Sequence, residues 1–217
     1  MKSGLTDTPL ASEPAPPVAG RPRSSDATEA VRKAALALAH EGGIAQATIE
    51  RIAQRSGVAK TTIYRRWPSA GAVLMDAFLA EISPFIAYVE EPTISATFRR
   101  AVVELIQALE GSRGRLLRHL LAAAQLDEQL RRAFWENWIE PRRVQGQALL
   151  IRARERGELE PGINLEVLMD MLFGAVYYRL MIPYAALDAA FADQLIEQVF
   201  ANTARRCSPT SVEIDLP

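Results

Sequence analysis

The 217-residue chain has little cysteine and little histidine: Cys207 is the single cysteine, and His40 and His119 are the two histidines. One cysteine cannot close an intramolecular disulfide, and two isolated histidines do not form the ligand set of a structural zinc site. Neither a nucleophile with a neighbouring base nor a phosphate-binding loop can be recognised. We therefore expect no disulfide-stabilised fold, no metal and no cofactor, and a helical enzyme is the weakest interpretation of the chain.

Long apolar runs are also missing. No run of eighteen consecutive residues is apolar throughout without a charged side chain. Residues 1–20 contain no apolar segment of signal-peptide length. The sequence therefore predicts a cytoplasmic protein that does not cross a membrane. Its 49% hydrophobic and 24% charged residues are ordinary values for a folded chain that buries a core.

The net charge of −1 conceals two segments of opposite sign. Residues 21–67 hold nine basic and four acidic residues, a formal charge of +5, whereas the chain from residue 68 onward carries −5. Phosphate contacts supply most of the non-specific affinity of proteins for nucleic acids, so the basic segment indicates a polyanionic partner. A solvated surface would show the same charge, and composition alone does not separate the two.

Apolar residues recur at helical spacing, and no alternating β-branched run competes with them. The sequence predicts an all-α fold of about nine helices, in which Pro141 kinks or breaks the longest one. The predicted helices lie at about residues 26–41, between Thr48 and Gly57, and at about 59–67, 70–82, 94–110, 113–125, 127–156, 164–182 and 188–205.

The second and third helices are short and meet at Gly57. This arrangement is the outline of a helix-turn-helix, whose second helix enters the major groove of DNA. Residues able to reach base edges are Lys60, Thr62 and Arg65. Residues placed for phosphates are Thr48, Arg51, Tyr64 and Arg66. Arg21 and Arg23 form a basic arm that either lies in the minor groove or belongs to a free tail.

The segment from Ala34 to Leu74 closely resembles the DNA-binding domain of the TetR family. The residues that carry the resemblance are Thr48, Ile52-Ala53, Gly57-Val58, Tyr64 and Trp67-Pro68-Ser69. The resemblance implies a bacterial, all-helical homodimer that binds a palindromic operator, usually as a repressor, and releases it when a small molecule enters the C-terminal domain. Two departures concern DNA contacts. Ala70 stands where the family often has a phosphate-binding lysine, and Thr61 replaces a small residue and becomes a further candidate contact.

These features divide the chain into four parts. We predict a disordered tail (1–20), a DNA-binding domain (21–68), a helical ligand-binding and dimerisation domain (69–206) and a C-terminal tail (207–217). An alternative keeps the DNA-binding domain but makes the C-terminal bundle an interaction module without a small-molecule ligand.

The resemblance continues in residues 156–162 and 177–179, and it implies that the last two helices pair with those of a partner subunit. The apolar residues available to the core and to this interface are Leu168, Leu172, Val176, Leu195, Val199 and Phe200. A ligand cavity would be enclosed by the helices between Phe78 and Tyr178 and lined mostly by large apolar and aromatic residues. The candidates are Phe78, Phe85, Leu117, His119, Leu120, Trp135, Trp138, Phe173 and Tyr177.

Overall fold

The computed structural model describes residues 24–201 and 203, and within them the fold is all-α, as predicted. The α-helices are α1 (Ser24–Gly42), α2 (Ile49–Ser56), α3 (Lys60–Tyr64), α4 (Ala70–Ile82), α5 (Ile94–Ala108), α6 (Ser112–Ala124), α7 (Glu128–Phe134), α8 (Glu140–Glu155), α9 (Leu165–Met181) and α10 (Ala189–Ala201). A π-helical turn, Trp135–Ile139, joins α7 to α8 without a break. The described part therefore has nine helical rods.

The first three helices form a small bundle around a shared core. Thr48 caps α2, because its side chain accepts a hydrogen bond from the backbone N–H of Arg51 at 3.3 Å. Gly57 ends α2 in the left-handed conformation, at φ 70°. Ile52 and Ile63 are fully buried, and α2 and α3 thereby present their other sides to solvent.

The third helix is shorter than the predicted range of 59–67. Its α-helical part ends at Tyr64, and Trp67 closes the segment with a hydrogen bond from its N–H to the carbonyl of Ile63 at 2.9 Å. Pro68 explains the difference, since a proline disfavours helical geometry at the residue before it. Ser69 then caps α4 by accepting from the N–H of Ala72.

Helix α4 connects the two halves of the protein. It packs against α1 on one side and against α6 and α7 on the other, and most of its residues are buried. Beyond it, α5 packs against α10, and α8 against α9. Asn164 and Asp188 act as N-caps of α9 and α10, as their positions in the sequence suggest.

The remaining boundaries concern the long helix predicted at 127–156 and the two predicted tails. The helix at 127–156 is distorted by the π-helical turn Trp135–Ile139, which ends two residues before Pro141, and the proline stands in the first turn of α8. The predicted tails, 1–20 and 207–217, lie outside the described residues. The domain boundaries remain predictions.

Candidate functional site

The predicted DNA contacts within the described residues lie on α2, α3 and the turn after α3. The exposed ones are Thr48, Arg51, Lys60, Thr61, Tyr64, Arg65 and Arg66, while Thr62 is half-buried. Helix α3 directs Ile63 into the core, and its polar residues are left on the outer side. Arg21 and Arg23 lie outside the described residues.

Several of these side chains have partners within the chain. The Lys60 ammonium lies 2.9 Å from a carboxylate oxygen of Glu50, and this hydrogen bond lowers the pKa of Glu50. Arg51 donates to the amide oxygen of Gln46. Exposed pairs of this kind are weak, so the Lys60 and Arg51 side chains can exchange these partners for a phosphate or a base.

Arg66 is held more firmly than the sequence indicated. Its guanidinium donates to the hydroxyl of Thr28 on α1 at 3.0 Å and lies over the ring of Trp67, 5.1 Å from the centroid. The side chain therefore fixes the turn after α3 against α1, whatever it also contacts on DNA.

Asp76 is a connecting residue that the sequence analysis missed. On α4, its carboxylate accepts two hydrogen bonds from Arg32 of α1, both 2.9 Å, and one from the indole N–H of Trp67, also 2.9 Å. One carboxylate thus joins α1, the end of the helix-turn-helix and α4. The available signal was an acidic residue in the middle of the apolar series of α4.

A cavity of about 400 Å³ lies among α5, α7, the π-helical turn, α8 and α9. This volume is within the usual range for small-molecule sites, which are mostly apolar with a few polar groups. Its apolar and aromatic lining includes Ile86, Tyr88, Leu105, Phe134, Trp135, Trp138, Ile139, Met169, Phe173 and Tyr177, and its charged lining residues are Arg131, Arg142, Arg143 and Asp170.

The structure divides the residues predicted for a ligand cavity into two groups. Trp135, Trp138, Phe173 and Tyr177 line this cavity, whereas four other candidates do not. Phe78, Leu117 and Leu120 are buried in the core next to α4 and α6, and His119 is exposed on the outer side of α6. The side chain of Phe85 lies outside the described part. The sequence does not separate the two groups, because a large apolar residue on a buried helix face looks the same whether it borders a core or a cavity.

Two tyrosine hydroxyls add polar groups to this cavity. Burial raises the pKa of Tyr177 to about 12, and burial also raises the pKa of Tyr88. Both phenols are therefore protonated at neutral pH. The Tyr177 hydroxyl accepts a hydrogen bond from the Trp138 indole N–H at 2.7 Å. A β-carbon at Gly146 would lie 2.8 Å from the Tyr88 hydroxyl, so the absence of a side chain there allows Tyr88 to reach α8.

The residues predicted for the dimer interface are mostly part of the core of a single chain, and their role in a dimer stays a prediction. Leu195 is half-buried. The other five have almost no exposed surface that a partner could contact: Leu168, Leu172, Val176, Val199 and Phe200. An exposed face of α9 instead carries residues spaced four and three apart, and we call it the α9 face: Val167, Met171, Gly174, Tyr178 and Met181.

Among residues 24–201 and 203, no helix is both long and apolar enough to cross a membrane. The same residues contain no cluster of three or more histidine, cysteine, aspartate or glutamate side chains suited to a metal ion.

Both halves of the chain match models of known families. Residues 31–74 match the model described as "Bacterial regulatory proteins, tetR family", and residues 91–199 match "Tetracyclin repressor-like, C-terminal domain". The first segment contains the helix-turn-helix, and the second contains most of the cavity lining and the α9 face.

The chain is also similar to individual proteins along most of its length. It is 30% identical over 181 residues to the HTH-type transcriptional regulator YdeS of Bacillus subtilis (strain 168), covering 83% of this chain and 91% of that protein. The crystal structure of the TetR family transcription regulator SCO0332 is similar with a TM-score of 0.70 and 32% identity, covering 83% of this chain and 98% of that one. FadR from Bacillus subtilis, solved in complex with stearoyl-CoA, has a similar fold (TM-score 0.59, 20% identity, 79% of this chain and 97% of that one).

Proposed function

Because the chain belongs to the TetR family of transcriptional regulators, we propose that it is a repressor that binds a palindromic operator as a homodimer and releases it when a small molecule occupies the cavity. The observation that carries this proposal is the combination in one chain of an exposed helix-turn-helix surface and a cavity of about 400 Å³, connected through α4. A cavity of this size supports a ligand-responsive regulator over a bundle that serves only as an interaction module.

The DNA contacts follow from the exposed side of α2 and α3. Lys60, Thr62 and Arg65 read base edges in the major groove, and Thr61 adds a hydroxyl on the same short helix. Phosphates on either side are bound by Thr48, Arg51, Tyr64 and Arg66, and in the minor groove by Arg21 and Arg23. The formal charge of +5 over residues 21–67 supports this orientation toward DNA.

Dimerisation uses the α9 face. Its exposed apolar residues repeat at the spacing of a helix-packing stripe, and a stripe of this kind is the usual sign of a partner helix. Gly174, in the middle of the stripe, has no atom within 4 Å of the position of a β-carbon, so another helix can approach it closely. The dimer places two α3 helices in successive major grooves, about 34–36 Å apart.

Release of DNA requires the ligand to favour a different spacing of the α3 helices. Helix α4 is the structural connection for this change, since it packs against α1 as well as against α6 and α7. FadR from Bacillus subtilis, which has a similar fold, binds stearoyl-CoA in its crystal structure. That observation supports a ligand site in a protein of this fold.

The test of the proposed function is selection of random duplex DNA by the purified full chain, repeated at rising salt concentration. We expect an enriched palindromic motif whose half-sites are about one helical turn apart and whose binding survives salt that removes non-specific binding. Enrichment of no motif, or of a single half-site, would contradict a dimeric operator-binding protein.

Substitutions on α3 test the division between base and phosphate contacts. We expect Lys60→Ala to relax the sequence preference at particular base pairs, by about 1–3 kcal/mol each, because a base contact is lost. Tyr64→Phe should instead weaken all operator variants equally. Arg55→Ala is the matched control for Lys60→Ala. Arg55 is likewise an exposed cation, on α2, and likewise pairs with a glutamate, Glu41, at 2.6 Å. Binding of an operator library by each variant distinguishes these results, and an unchanged preference profile for Lys60→Ala would remove Lys60 from the base-reading set.

A further inference from the structure

Arg142 places a positively charged guanidinium in the largely apolar lining of the cavity. Its guanidinium stacks on the ring of Trp138, 3.3 Å from the centroid, and its Nη1 donates to the Trp138 carbonyl at 3.2 Å. Its Nε is buried and has no hydrogen-bond partner within the described part of the chain. A buried donor without a partner carries a desolvation cost that a bound acceptor would remove.

The next residue along the chain shows the opposite arrangement. Arg143 forms ion pairs with Glu166 and Asp170 of α9, so its charge is compensated within the protein. The acidic residue among those that line the cavity is Asp170, and its carboxylate already pairs with Arg143. No such carboxylate pairs with Arg142 in the described residues, and burial lowers the pKa of Arg142. The cavity therefore contains an uncompensated positive charge.

The unpartnered edge of Arg142 defines the shape of the group that it can bind. One face of the guanidinium lies on Trp138, and Nη1 is directed to a carbonyl, so the edge that carries Nε is the one without a partner. Because Nε is buried, a ligand reaches this edge through a shift of the side chain. A carboxylate matches such an edge with two parallel hydrogen bonds, and charge-assisted pairs of this geometry are among the strongest. Tyr88 and Tyr177 line the same cavity as Arg142, so two protonated phenols share this space with the guanidinium.

The rest of the lining is suited to an apolar body. Phe134, Ile139, Met169 and Phe173 surround the space beyond the guanidinium. From this geometry we propose that the cavity binds a small amphipathic carboxylate, with its headgroup on Arg142 and its apolar part against these side chains. The proposal rests on the ligand-responsive function proposed above and specifies the chemical class of that ligand.

The experiment measures how two series of straight-chain compounds bind to the full chain. One series consists of carboxylates and the other of primary alcohols, matched in length at about six to twelve carbons. Affinity is measured by calorimetry, and the thermal midpoint is followed in parallel. We expect the best carboxylate to bind about 10- to 100-fold more tightly than its alcohol, the range of a charged hydrogen-bonded contact. Arg142→Met should abolish this preference, and binding of the alcohols to the variant, at whatever affinity, shows that it is folded.

Two further variants complete the design. Arg132→Met removes an exposed arginine from the same helical rod, one that pairs with Glu128 and does not line the cavity, and it should retain the full preference for the carboxylate. Arg142→Lys keeps the charge but loses the planar edge, so it should retain only part of the preference.

Equal affinity for carboxylates and alcohols, a preference that persists in Arg142→Met, or no binding of any carboxylate would each overturn the proposal. These outcomes are distinct from failure of the proposed function. An alcohol that binds and releases operator DNA would leave the ligand-responsive repressor intact, whereas absence of operator selection would contradict the repressor whatever the cavity binds.

Discussion

Replacing Met171 with glutamate is expected to convert the protein into a monomer and to lower its affinity for a two-half-site operator by about 100-fold or more. Met171 is about half exposed (49%) on the α9 face, between Val167 and Gly174. Two glutamates brought together across a two-fold axis repel each other and must be desolvated there. Without the dimer, each half-site is bound independently, and the gain from linking two binding sites is lost. Sedimentation and operator titration measure the two effects.

Leu126→Glu is the matched control for this variant. Leu126 is the most exposed large apolar side chain in the described residues (95%), lies between α6 and α7, and gains the same charge without touching the α9 face. We expect it to remain dimeric and to bind the operator normally. A Met171→Glu protein that still sediments as a dimer would place the interface on another surface.

Asp76→Ala is expected to lower the free energy of unfolding by about 2 kcal/mol, which for a chain of this size is a fall in Tm of about 4–8 °C. The substitution leaves the Arg32 guanidinium and the Trp67 indole N–H without their acceptor. About one third of the Asp76 side chain is exposed, and solvent therefore replaces part of what is lost. Because this carboxylate joins α1 to α4, the variant should also respond less to a ligand in the cavity.

The control for Asp76→Ala is Asp193→Ala, which breaks the exposed ion pair of Arg99 with Asp193. Such surface pairs contribute about 0–1 kcal/mol, so the Tm should change little. Differential scanning fluorimetry gives the Tm, and operator release by a bound carboxylate gives the coupling. If the Tm of Asp76→Ala equals the Tm of Asp193→Ala, the hydrogen bonds to Arg32 and Trp67 do not stabilise the contact between α1 and α4.

The sequence was sufficient to predict the helix-turn-helix because local chemistry determines it. Thr48, Gly57 and Ser69 each satisfy a backbone requirement of a helix end, and such requirements depend on a few neighbouring residues. The same reasoning predicted the nine helical rods, with small errors at their ends. Trp67 and Pro68 set the end of the third helix more strictly than helical spacing had indicated.

The cavity and the α9 face could not be predicted with the same success, because both depend on how helices distant in the sequence pack together. Leu172 and Met171 are adjacent apolar residues of α9, yet the first is fully buried in its own chain and the second is half exposed. Arg142 and Arg143 are neighbouring arginines that both line the cavity, and only their surroundings in the fold stack one on Trp138 and place the other in an ion-pair network. Asp76 was overlooked for the same reason, since its partners come from α1 and the end of the helix-turn-helix.

Gly174 belongs both to the lining of the cavity and to the α9 face. In the proposed dimer, a helix of the partner would pack on a residue whose other side borders the ligand. The occupancy of one cavity would then alter the surface on which the second subunit rests, and the two sites of a dimer would not titrate independently. A Hill coefficient different from one for ligand binding is the consequence, and a monomeric variant should bind the same ligand without cooperativity.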